Sequence, residues 1–96
     1  MIHRIVKLTF KEEHIPAFKK LFEDNWREIK NQKGCFDVKL LQDKNNPGIF
    51  FTYSLWDSEV SIENYKNSEL FKFIWPKTKS LFGDKPEAWS TEVLQN

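Results

Sequence analysis

The chain has 96 residues, with fifteen basic and fourteen acidic side chains for a formal net charge of +1. That length suits one domain over residues 1–96, and so even a balance argues against nucleic acid or an anionic membrane as partner, since both reward concentrated positive charge. The one cysteine, Cys35, cannot close an internal disulfide, which excludes a stapled secreted scaffold and fits a reducing, cytoplasmic setting. The opening Met1-Ile-His-Arg-Ile-Val-Lys7 holds no long apolar run, so neither a signal peptide nor a membrane span is expected. A chain this short buries only about 60–65% of its unfolded surface, so the core must be rich in large side chains; fifteen aromatic rings supply it.

Alternation from Ile2 to Phe10 turns Val6, Leu8 and Phe10 one way and His3, Ile5, Lys7 and Thr9 the other, which predicts a strand. From about Glu12 to Asn31 the period lengthens. Ile15, Phe18, Phe22, Trp26 and Ile29 recur at steps of three and four, the stripe of an amphipathic helix. Pro16 belongs in a first helical turn and sets the start near Glu13, while Gly34 suits a left-handed cap after the last turn. A second strand is predicted from Phe36 to about Gln42 with Phe36, Val38 and Leu40 on one face. The polar stretch Asp43–Gly48 is a turn by composition.

Ile49–Trp56 is the strongest strand signal. Ile49, Phe51, Tyr53 and Leu55 share one face; Phe50, Thr52, Ser54 and Trp56 share the other. Bulky groups on both faces imply cover on both. Asp57 or Ser58 can cap a short helix to about Lys66, and Ser68 can cap another from Glu69. Leu70, Phe71, Ile74 and Trp75 form the apolar side of that second helix, and Pro76 is expected to bend or restart it near Trp75. Pro86 introduces a last strand from about Ala88 to Leu94.

The order is β-α-β-β-α-β: an α+β, ferredoxin-like split arrangement, with a four-stranded antiparallel sheet and the helices on one face. The uncovered face is then expected to carry Phe50 and Trp56. An exposed patch of that kind marks an interface, so a homodimer through the sheet face is expected.

Gly34-Cys35 opening the second strand, Trp56-Asp57-Ser58 between the third strand and a helix, then Tyr65, Ser68, Phe71, Phe82 and Lys85-Pro86 before the final strand form a recognisable series. In that order and spacing the chain, from about Ile2 to Val93, resembles the antibiotic biosynthesis monooxygenase domain family. The resemblance implies a dimeric α+β barrel with a pocket between helices and sheet in each protomer. It also implies oxidation of a small aromatic or quinol-type compound by dioxygen without flavin, haem or metal. Relatives that degrade haem carry Asn, Trp and His at places that fall here on about Val6, Tyr65 and Trp75; no residue type matches, which argues against that chemistry.

Such an oxygenase asks the protein for a dry aromatic pocket, a base or acceptor, and donors for developing negative charge. Tyr65 and His3 are the candidate catalytic groups. Tyr65 combines a packing ring with a hydroxyl, and His3 titrates near neutrality on a strand. Phe71, Trp75, Phe82 and Tyr53 are candidate pocket walls, able to stack on a planar substrate. His14 reads as a surface residue, Cys35 as a packed, inert thiol. Arg4 interrupts an apolar strand face, where it can pair with Glu92 or bind an anionic group. No His/Cys cluster has metal-ligand spacing and no glycine-rich phosphate loop exists, so no cofactor or metal is expected. A non-catalytic module binding a small hydrophobic or aromatic molecule, or an isomerase on the same barrel, uses the same residues.

Overall fold

Residues 1–96 are described by a computed structural model. Strand β1 (Ile2–Thr9) leads through a 3-10 turn (Glu12–His14) into helix α1 (Ile15–Lys30). Strands β2 (Cys35–Gln42) and β3 (Ile49–Trp56) follow, then helices α2 (Glu59–Lys66) and α3 (Glu69–Lys79) and strand β4 (Glu87–Thr91). The sheet order is β2-β3-β1-β4 with every neighbour antiparallel, the ferredoxin-like α+β arrangement.

Register decides the two faces. Leu8 pairs with Phe50, Val6 with Thr52 and Ala88, Arg4 with Ser54 and Ser90, and Ile2 with Trp56, so these side chains share one face of the sheet. The helices cover that face. Leu8, Phe10, Phe18 and Phe50 form its buried centre, with Ile15, Phe22 and Trp75 packed against it. Phe18 of α1 stacks on Phe10 at 4.1 Å between ring centroids and meets Phe50 edge-on at 5.2 Å, both favourable ring arrangements.

Four sequence expectations change. Phe50 and Trp56, expected on the bare face, are each 1% exposed beneath the helices. The uncovered face instead carries Ile5, Ile49, Phe51, Tyr53, Leu55 and Trp89. Alternation gives two faces but does not say which one the helices choose; the small residues Thr52 and Ser54 masked the stronger burial of their own face. Phe36 does not join Val38 and Leu40, because a bulge between Cys35 and Asp37 breaks the alternation and leaves Phe36 54% exposed. Pro76 lies inside α3 without ending it: Ser80 N–H still donates to the Pro76 carbonyl at 3.1 Å. Proline removes only its own donor, and the carbonyl left over belongs to Lys72, an exposed residue where water serves. Strand β4 stops at Thr91 rather than Leu94.

The caps fall where expected. Ser58 Oγ accepts from Ser61 N–H at 3.3 Å, and Ser68 Oγ from Phe71 N–H at 3.2 Å. Gly34 has φ +85°, a left-handed conformation that favours glycine, and a Cβ there would sit 2.2 Å from Ser61 Oγ. Its carbonyl accepts from Asp57 N–H at 2.8 Å, so this one turn ties the start of β2 to the start of α2.

Candidate functional site

Along its covered face β3 reads Phe50, Thr52, Ser54, Trp56: large at both ends, small in the middle. The facing residues are also modest, Val6 on β1, Val38 on β2 and Ala88 on β4. Helices α2 and α3 therefore stand over a gap. It forms a cavity of about 340 Å³ lined by Val6, Thr52, Ser54, Trp56, Tyr65, Phe71, Ile74 and Trp75, with Arg4, Lys66, Pro86, Glu87 and Ala88 also on its wall. That volume lies near the lower end of small-molecule sites, about 300–1,000 Å³.

One side of the cavity is a run of rings. Trp56 stacks on Tyr65 at 5.4 Å and 27°; Tyr65 meets Phe71 edge-on at 5.2 Å; Phe71 stacks on Trp75 at 5.6 Å and 16°. Trp56 is held in place by its own indole, whose Nε1–H donates to Ser54 Oγ at 2.8 Å. Tyr65 and Phe71 lie on different helices, and the Ser68 cap fixes the corner between them: Ser68 Oγ–H also donates to the Tyr65 carbonyl at 2.6 Å. Phe82 stands one layer behind, edge-on to Trp75 at 5.8 Å and against Phe10 at 5.4 Å.

The Tyr65 phenol is pushed well above its ordinary range, first by desolvation and then by the nearby Cys35; no hydrogen bond contributes. No fully buried side-chain polar atom lacks a partner, so this unpaired hydroxyl keeps some exposure, on a residue that lines the cavity. Held neutral, Tyr65 is a donor there and not a base. Burial also raises the Cys35 thiol, against a weak bond from its Sγ–H to the Asp37 carbonyl at 3.6 Å, which disfavours the thiolate.

The sequence-predicted residues divide between the two faces of the sheet. Tyr65, Phe71 and Trp75 converge on the cavity, as does Val6. His3 and Tyr53 do not: they lie on the uncovered face, where His3 Nδ1 and Tyr53 Oη are 2.6 Å apart. His3 follows the alternation of Ile5 and Lys7, opposite to Arg4, so it cannot reach the cavity that Tyr65 lines. Tyr65 and His3, both candidate catalytic groups, therefore stand on opposite faces of the sheet within one protomer, and Tyr53 does not line this cavity. Arg4 is not paired with Glu92. Its Nη1–H donates to Ser90 Oγ at 3.1 Å, and it takes part in none of the ion pairs, which join Lys20–Asp24, Lys39–Asp37 and Lys72–Glu69. His14 is half-buried rather than a free surface residue, its Nδ1 lying 3.3 Å from the Leu81 carbonyl.

Trp56, Thr52 and Ser54 were missed as site residues. The signal was present: two small polar residues flanked by large rings on a core-facing strand leave a void unless something fills it. A second depression, about 470 Å³ between α1 and β2, is larger but is an open groove. Its polar members Lys19, Glu23 and Gln42 are all exposed, so nothing there orients a ligand away from water. No three His, Cys, Asp or Glu side chains converge to hold a metal ion. No helix is long and apolar enough to cross a membrane.

Sheet order, connectivity and cavity together define a ferredoxin-like α+β protein with a ring-walled recess between sheet and helices. The chain belongs to the antibiotic biosynthesis monooxygenase family, whose model matches residues 1–74. A conserved protein from Methanosarcina mazei Go1 is 26% identical, with TM-score 0.89 over 94% of this chain and 89% of its own. An antibiotic biosynthesis monooxygenase is 17% identical with TM-score 0.92, covering 99% of this chain and all of its own, and a protein from Pseudomonas aeruginosa is 18% identical with TM-score 0.86, over 98% and 94%. The latter two likenesses are of fold. No curated protein matches the sequence.

Proposed function

We propose that the protein is a monooxygenase that oxidises a small aromatic or quinol-type compound with dioxygen, needing no bound cofactor. The observation that carries this reading is geometric: Tyr65, whose hydroxyl has no hydrogen-bond partner, lines a cavity walled by Trp56, Phe71 and Trp75. Family membership supports the reaction class. Flat rings stack on flat substrates, and a dry cavity strengthens any hydrogen bond made inside it.

For a substrate with an acidic ring CH₂, the reaction is R₂CH₂ + O₂ → R₂C=O + H₂O. The substrate gives up one proton to solvent before it is enclosed, leaving an electron-rich enolate that passes an electron to oxygen; a proton is taken back when the peroxide becomes the hydroperoxide. Recombination forms a C–O bond and a hydroperoxide, which loses its second ring hydrogen and breaks its O–O bond to leave ketone and water. Tyr65 serves by donating to the oxyanion of the enolate or peroxide. The stacked rings hold the substrate plane and exclude water.

The uncovered sheet face supports a homodimer. Ile5, Phe51, Leu55 and Trp89 form an apolar surface there, with Trp89 44% exposed and Leu41 51% exposed at its edge. The partner is then a second copy, and a cytoplasmic setting fits a single cysteine that closes no internal disulfide.

The test is oxygen uptake by purified protein with a panel of anthrones, naphthols and catechol-type phenols, set against heat-denatured protein. Saturable uptake that is lost in Thr52→Phe, which puts a ring into the gap, is the expected result. Absence of uptake above the control across the panel overturns the oxygenase reading, and product formed without oxygen marks an isomerase instead.

A further inference from the structure

Three charged residues line the cavity, the basic Arg4 and Lys66 and the acidic Glu87. Glu87 pairs in register with Lys7, so its side chain shares the opposite face of the sheet, whereas Arg4 shares the covered one. Arg4 stands on the covered face between the positions of Ile2 and Val6, opposite Ser54 and Ser90. A guanidinium has five N–H donors, and Ser90 Oγ takes one of them. No carboxylate lies within ion-pair distance. An arginine aligned with the core face of a strand, beside an aromatic cavity and without a counter-ion, keeps its remaining donors for a ligand.

We infer that Arg4 makes one end of the cavity an oxyanion subsite, so that the ligand is a planar aromatic carrying a carboxylate. The inference rests on the cavity being the ligand site proposed above, and not on the oxygenase chemistry. Rings of the ligand lie along Trp56, Phe71 and Trp75, while its anionic edge reaches Arg4, with Lys66 adding positive potential from the exposed rim. A guanidinium holds a carboxylate by two parallel N–H···O bonds, which a lysine ammonium does not reproduce.

The probes are 2-naphthoate and its neutral isostere 2-naphthamide, each titrated into the full-length protein at neutral pH with tryptophan fluorescence as readout. Trp56 and Trp75 line the cavity and report directly. The expected result is that naphthoate binds at least about ten-fold more tightly, equivalent to about 1.4 kcal/mol. In Arg4→Gln that preference falls to near unity while naphthamide affinity stays within about two-fold, and Arg4→Lys keeps part of it. Thermal unfolding of each variant verifies that the fold survives. Equal affinity for the two probes, a preference unchanged in Arg4→Gln, a preference lost only in Lys66→Gln, or binding of neither probe overturns the proposal. An Arg4-dependent preference with no oxygen uptake leaves the subsite standing and removes the oxygenase reading alone.

Discussion

Replacing Gly34 by alanine tests how one turn positions the cavity. Two costs add. Residue 34 has φ +85°, where a Cβ costs about 1–2 kcal/mol. The new methyl would also lie 2.5 Å from Asp57 Oδ1 and 2.6 Å from Ser61 Cβ. The Asp57 carboxylate can swing away, since its residue is exposed. Ser61 Cβ cannot, because it is bonded to the backbone of α2 and Ser61 is 9% exposed. To regain a contact of 3.4 Å, the start of α2 must retreat by roughly 0.8 Å. Overpacking of that kind costs about 1–3 kcal/mol, so Gly34→Ala should destabilise by about 2–5 kcal/mol in total, a large share of the 5–15 kcal/mol typical of a domain. Tyr65 rides on α2, so the shift also pulls its ring from Trp56 and weakens ligand stacking. Chemical denaturation of Gly34→Ala, Ser61→Gly and the double variant measures both parts. The double variant should recover the overpacking cost but not the backbone cost. A loss below about 0.5 kcal/mol in Gly34→Ala, or strict additivity in the double variant, would refute the reasoning.

Two further predictions concern titration and assembly. Burial raises the Tyr65 phenol above its ordinary 10.0, so above about pH 10 the unfolded chain gives up a proton that the folded chain keeps. Stability is unaffected below that point and falls as pH rises through the window, by at most about 1.4 kcal/mol per pH unit. Tyr65→Phe should remove this slope, and equal alkaline slopes for the two proteins in denaturant titrations would contradict the burial argument. Phe51→Glu places a charge in the middle of the uncovered face, beside Lys7 and Leu41 in register. It should halve the mass seen by light scattering while leaving the melting temperature of the protomer nearly unchanged; a wild-type protein that is already monomeric excludes the sheet-face dimer.

What was legible in the sequence is what depends on local periodicity and on caps. Alternation marked β1 and β3, the three-and-four spacing from Ile15 to Ile29 marked α1, and Ser58 and Ser68 marked the starts of α2 and α3, because these signals act between residues a few positions apart. Element order then limited the topology to the ferredoxin-like arrangement, since short connections allow few others. Phe71 and Trp75 could be assigned to one helical face for the same reason.

The rest depended on pairing across long separations. Whether β3 turned Phe50 or Phe51 toward the helices was settled by its register with β1 and by how Phe10, Phe18 and Phe50 pack together. That choice carried the site with it. It sent His3 and Tyr53 to the uncovered face, brought Trp56 under Tyr65, and left Arg4 beside the cavity without a counter-ion. A one-residue change of face reverses every side chain on a strand, so the chain's own alternation determined which residues travel together, and only the packed structure decided which group would meet the ligand.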